Sequence, residues 1–272
     1  TYVRIIAMGY LAVIILGTLL LLLPGMTAEG CRTDFLTALF TATSATCVTG
    51  LVVVDTATHW TLLGQGTILL MIQIGGLGFM TMGVLLAMLL KKRITLRVRG
   101  LLQESMNYMQ MGGVLRLLKT AFQGTLLFES VGAVLLAARF IPIFGVWKGI
   151  YYGVFHSVSA FCNGGFDLMG TYSGKYSSLV EFHGDILINV VIMALIILGG
   201  IGFFVWSDIR KNGLCWKKYM LHTKITLFST AFLLIGGTIL FWLFEKENLL
   251  GGMNGKDQLL AAAFSSVTAR TA

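Results

Sequence analysis

Residues 40–51 read FTATSATCVTGL. Phe40 and Leu51 bracket small hydroxyl residues, alanines, a cysteine and one glycine, with long apolar runs on either side. The stretch is too polar for a membrane span and too poor in good helix formers for an isolated soluble helix. Whether it recurs decides what it is.

It does recur. The pattern Phe-x-x-x-Ser/Thr-Ala appears as FTATSA (40–45), FHSVSA (155–160) and FSSVTA (264–269). The first two copies are followed at equal distance by Gly50-Leu51 and Gly165-Phe166. Each of these is followed further on by a second matched motif, GGLGF (75–79) or GGIGF (199–203). Fixed-period self-similarity is the mark of a repeated supersecondary unit. The unit reads as long helix, short amphipathic helix, polar glycine stretch, long helix. It divides the chain at 1–99, 100–213 and 214–272, the third copy stopping inside its own polar stretch. The chain begins at Thr1 rather than Met, so a longer parent protein is expected.

Mean hydropathy is +0.84 and only 12% of residues are charged, about half the share in a soluble domain. Five apolar runs are long enough to cross a bilayer: 5–23, 62–90, 121–141, 186–205 and 225–244. The first is too long for the core of a secretory signal peptide. The fold class is therefore an all-α polytopic membrane protein. The net charge of +8 is no sign of nucleic-acid binding, because it is sorted by side. Lys91, Lys92, Arg93, Arg97 and Arg99 share one loop, and Arg210, Lys211, Lys217, Lys218 and Lys224 another. Most acids, among them Asp34, Asp55, Asp167, Glu181 and Asp185, fall in the opposite loops. The basic loops and the N-terminus are assigned to the cytoplasm. Cys31, Cys47, Cys162 and Cys215 lack metal-site or redox spacing and read as small buried residues.

Parity tells what the short segments do. Arg4 precedes the first apolar run and Lys91–Arg93 follow the second. They share a side only if the segment around 35–50 enters and leaves from the outside. The segments 35–45, 150–161 and 259–267 span about three turns, half a bilayer. They are expected to be re-entrant. Irregular backbone at membrane depth is tolerated where it is buried in protein or lines a water-filled path. A half-helix entering from outside brings its negative carboxyl end near the midplane, and glycine lets the returning chain aim carbonyls inward. Rings of carbonyls replace the hydration shell of a cation. The candidate filter residues are Thr46, Cys47, Val48, Thr49 and Gly50, then Phe161, Cys162, Asn163, Gly164 and Gly165, then Ala269, Arg270, Thr271 and Ala272. TVGYG is absent, so looser selectivity is expected. The glycines at 75, 76, 78, 199, 200 and 202 read as helix-packing positions.

Glu129, inside a span, is functional or paired by default. Arg270 should point behind the filter toward a carboxylate, Glu129 being one candidate, or toward carbonyls. Asp55, Asp167 and Asp185 read first as solvated loop residues, and His156 as packing. An intramembrane serine protease is disfavoured because His156 and Ser157, adjacent on a helix, do not face each other. A sodium-coupled symporter of another small solute is the alternative, but its repeats are usually inverted.

ATCVTGL, QIGGLGFMT (73–81), SAFCNGGF (159–166), GGIGF and TARTA (268–272) together resemble the Trk/Ktr/HKT potassium transporters, most closely the KtrB group of bacterial membrane subunits. The resemblance spans all 272 residues. It implies four helix–pore–helix repeats around one pseudo-fourfold pore, of which about two and a half are present here. It implies a homodimer in the plasma membrane and a cytosolic, nucleotide-binding regulatory ring of the KtrA/TrkA type. It also implies potassium uptake promoted by sodium, with no organic cofactor and no enzymatic chemistry. In the family, glycine at the position of Gly50 goes with potassium permeation.

Overall fold

The computed structural model describes residues 2–28, 33–78, 81, 82, 84, 114–213 and 215–271. Among these the regular structure is helical throughout, apart from one antiparallel bridge between Thr27 and Trp60. The basic loop 91–99, together with Cys31 and Ala272, lies outside the described residues. The chain divides into two compact units. One comprises Thr1–Gly124 with Gly164–Phe166, the other Thr125–Asn163 with Asp167–Ala272.

In the first unit α1 (Tyr2–Leu21), α2 (Phe35–Thr46) and α3 (Leu62–Leu77) pack on one another. The composition of α2 explains its place. Its buried face is Ala38, Thr41, Ala42, Ser44, Ala45 and Thr46, small residues that let neighbouring backbones come close. Phe35, Leu36 and Phe40 face outward. Asp34 caps the helix by accepting from the Leu36 N–H. Thr61 caps α3 through the Gly64 N–H and donates its own hydroxyl to the Gly25 carbonyl at 2.8 Å. That ties the loop after α1 to the start of α3.

The second unit holds the part of α4 (Val114–Phe144) from Thr125 onward, then α5 (Val146–Phe161), α6 (Ile186–Gly200), α7 (Phe203–Asn212), α8 (Leu221–Glu245) and α9 (Gly255–Thr271). Gly149 and Gly153 of α5 form the α4 contact. A Cβ on Gly149 would lie 2.6 Å from the Ile141 backbone, and one on Gly153 2.8 Å from the Ala133 carbonyl oxygen. This is a G-x-x-x-G seam in which only hydrogen fits between two helices. Helix α8 is inverted relative to a soluble helix: its buried residues are Thr223 and Thr230, while Phe228, Phe232, Ile235 and Phe244 are exposed. Such a surface calls for an apolar surrounding.

Among the described residues three stretches, Val3–Leu21, Leu118–Phe144 and Leu221–Glu245, are long and apolar enough to cross a membrane. A fourth span exists if α6 and α7 count as one, but the chain bends by 93° between them. The sequence reading of one continuous helix over 186–205 is corrected here. Gly202 sits at φ +88°, ψ 150°, a conformation reserved for glycine, and the helix cannot propagate through it. Likewise α3 ends at Leu77 on Gly78, with φ +81° and ψ 131°; residues 85–90 of that apolar run lie outside the described residues. The same glycine of G-G-x-G makes both breaks.

Candidate ion-filter site

The polar stretch of the first repeat begins as a helix cap. After Cys47 (φ −84°, ψ −2°), Val48 turns left-handed at φ +57°. The Thr49 N–H then donates to the Ser44 carbonyl at 2.9 Å and the Val48 N–H to the Ala45 carbonyl at 3.3 Å. That pair of bonds is a Schellman cap. The Thr49 hydroxyl adds a bond to Ser44 Oγ at 2.9 Å, so the return is stitched to its own helix, and Gly50 takes φ +75°. Among the described residues, the carbonyls of Cys47, Val48, Thr49 and Gly50 accept no hydrogen bond.

The second repeat draws the same trace. Cys162 (φ −74°, ψ −5°) is followed by Asn163 at φ +59°, whose N–H donates to the Ala160 carbonyl at 3.1 Å. Gly165 follows at φ +69°. Two right-then-left sequences thus match residue for residue. Asparagine tolerates the left-handed region, but for the β-branched Val48 it is a true outlier. Strain of this kind costs about 1–3 kcal/mol and persists where the surroundings impose it, commonly at functional sites.

Gly164–Phe166 fold with the first unit, and there the two glycines meet. A Cβ on Gly50 would lie 2.9 Å from the Gly164 carbonyl oxygen, and one on Gly165 3.1 Å from the Gly50 Cα. Neither position has room or backbone freedom for a side chain.

The G-G-x-G motifs back these turns. A Cβ on Gly75 would sit 2.1 Å from the Thr46 carbonyl oxygen, and one on Gly199 1.8 Å from that of Phe161. Thr46 and Phe161 are each the last residue of their short helix. Their carbonyls are therefore directed at a neighbouring helix, and in the first repeat the open carbonyls begin one residue later. Arg270, aligned with Thr46 and Phe161, lies with Thr271 in the last turn of α9. Its guanidinium donates to Thr230 Oγ1 at 3.2 Å and lies against Gly200, where a Cβ would be 2.8 Å from Nη2. Thr271 donates to the Asn163 side chain at 3.3 Å, joining the ends of the second and third short helices.

Glu129 is buried; its carboxylate accepts from the Cys162 thiol at 3.9 Å, and its backbone carbonyl accepts the Ser157 hydroxyl at 2.7 Å. Ser157 is thereby engaged away from His156, whose Nδ1 faces the Tyr152 carbonyl at 2.7 Å. Three loop acids serve as caps. Asp55 accepts from Thr58, Asp167 from Met169, and Asp185 from Leu187 and Ile188. Burial works to raise the Asp185 carboxyl, but the paired Arg139 guanidinium and the helix amides outweigh it and hold it below its ordinary value.

The profile of the TrkH cation transport proteins matches residues 3–272. The chain belongs to the TrkH family. Among TrkH-family relatives it is 44% identical over 271 residues to the potassium/sodium uptake protein NtpJ of Enterococcus hirae, covering 99% of this chain and 58% of that one. It is 42% identical to the Ktr system potassium uptake protein B of Bacillus subtilis, over 99% of this chain and 59% of the relative. To the protein of that name from Vibrio alginolyticus it is 40% identical over 276 residues, covering 99% and 58%. The TrkH-family chain thus spans less than two thirds of the relatives it matches.

Of the residues singled out by sequence, Cys47–Gly50 and Cys162–Gly165 form the two matching returns, and Arg270 and Thr271 are helical. His156, read as packing, is buried among Phe140, Tyr152 and Phe155, and its Nε2 also accepts the Leu168 N–H at 3.3 Å. Its neighbourhood in sequence is apolar and aromatic, so nothing there separates a histidine that packs from one that holds the backbone.

Proposed function

We propose that this chain is the ion-conducting part of a potassium-uptake protein of the plasma membrane, built from repeated helix–pore–helix units. Potassium sheds water against the backbone carbonyls of Cys47–Gly50 and Cys162–Gly165. The observation that carries this reading is the shared torsion sequence after α2 and α5, with carbonyls left open beyond the helix ends in the first repeat. Carbonyl dipoles and the carboxyl ends of half-helices favour a cation without a fixed charge that would hold it. The names of the relatives, uptake proteins for potassium or for potassium and sodium, support potassium as cargo; its promotion by sodium is part of the proposal. The word "system" in the Ktr names supports a regulatory partner, here a cytosolic nucleotide-binding ring acting on a membrane homodimer.

Rubidium uptake by the full-length protein in cells lacking their own potassium transport tests this. Gly50→Ser and Gly165→Ser are each expected to lower uptake at least tenfold or to let sodium compete. Serine must adopt a left-handed backbone at about 1–2 kcal/mol and finds backbone 2.9–3.1 Å from its Cβ. Wild-type rubidium uptake and unchanged sodium competition in both variants would overturn the filter.

A further inference from the structure

The two returns are anchored by different means. In the first, the Thr49 hydroxyl bonds Ser44 on the short helix. The residue aligned with Thr49 in the second repeat is Gly164, which has no side chain to do this. Aligned with Thr41 of the first repeat is His156, fully within α5 and only 3% exposed. Its Nε2 lies 3.3 Å from the backbone N of Leu168, two residues past Phe166. Its Nδ1 lies 2.7 Å from the Tyr152 carbonyl on its own helix. A carbonyl only accepts and an amide N–H only donates, so the ring carries its proton on Nδ1 and offers a lone pair at Nε2. Phe140, Tyr152 and Phe155 surround the ring at centroid distances of 5.6–6.2 Å and fix its plane.

From this we infer that His156 is a positioning residue for the second filter segment. As a neutral imidazole it ties the chain leaving Gly165 back to α5, the task that Thr49 performs in the first repeat. The inference rests on the filter reading above. It assigns ion discrimination to a side chain that never touches the ion.

His156→Phe keeps the aromatic packing and removes the acceptor, leaving the buried Leu168 N–H without its partner. His156→Gln restores an acceptor on a side chain of similar reach. In the full-length protein, His156→Phe is expected to raise the KM for rubidium and weaken rubidium-over-sodium discrimination about tenfold, with His156→Gln recovering most of it. Gly165→Ser run in parallel separates the two claims. If Gly165→Ser alters discrimination while His156→Phe, present in the membrane at the normal level, does not, the clamp is wrong and the filter stands. If neither alters it, the filter reading itself falls. A second measurement stands even if the Phe variant does not fold. Nitrogen-15 NMR of full-length protein with every histidine other than His156 replaced by Gln should show Nδ1 protonated and Nε2 bare. A proton on Nε2 would overturn the clamp.

Discussion

Val48 and Asn163 carry the same left-handed turn, yet only asparagine is suited to it. The strain at Val48 is paid for by the bonds around it, from Thr49 to Ser44 and from its own N–H to Ala45. Thr49→Val, which keeps the shape and deletes the hydroxyl, should cost about 1 kcal/mol of local stability. It should also weaken rubidium-over-sodium discrimination, measured by competition uptake. Gly50 and Gly165 were legible as glycines at matched distances from matched phenylalanines. The strained valine was not, because no local pattern announces a β-branched residue forced to positive φ. A charged residue gives a pH-dependent prediction. With its pKa held below the ordinary carboxylate value, Asp185 adds stability that is present at neutral pH and lost as pH falls through that depressed value. Asp185→Asn keeps a helix cap and loses the ion pair with Arg139. Because Arg139 is exposed, the loss should be under about 1 kcal/mol. Thermal melts of variant and wild type should converge on acidification.

At the scale of elements, two glycine motifs do two jobs each. Gly75 and Gly199 seat the last carbonyl of a short helix, and Gly78 and Gly202 break the helix that seats it. The repeat made the motif visible in the sequence, and packing was the natural reading of it. The breaks were not visible, because a glycine in an apolar run is read as a close contact until its torsions are known. Gly75→Ala and Gly199→Ala should lower rubidium uptake at least several-fold. Gly66→Ala, with nothing within 4 Å of the added methyl, should leave it unchanged. Equal effects in all three would mean that helix propensity, rather than the seat, is being measured. The proposal that 35–45 and 150–161 are re-entrant rests on charge parity and length. The seam at Gly149 and Gly153 is a plain G-x-x-x-G in sequence that only the packing of α4 on α5 made meaningful.

On the scale of the whole molecule, the outward face of α8 is apolar and the two returns share one torsion sequence. The family follows from the entire chain, residues 3–272, whereas the cargo is argued from a handful of carbonyls. The most direct test is therefore to see the ion. Crystals of the full-length protein soaked in rubidium, with anomalous data collected at the rubidium edge, should show a peak against the backbone carbonyls of Cys47–Gly50 and Cys162–Gly165, and the peak should vanish in Gly50→Ser. Rubidium bound only at outer carboxylates such as Asp55 or Asp185, with none against those carbonyls, would contradict the account.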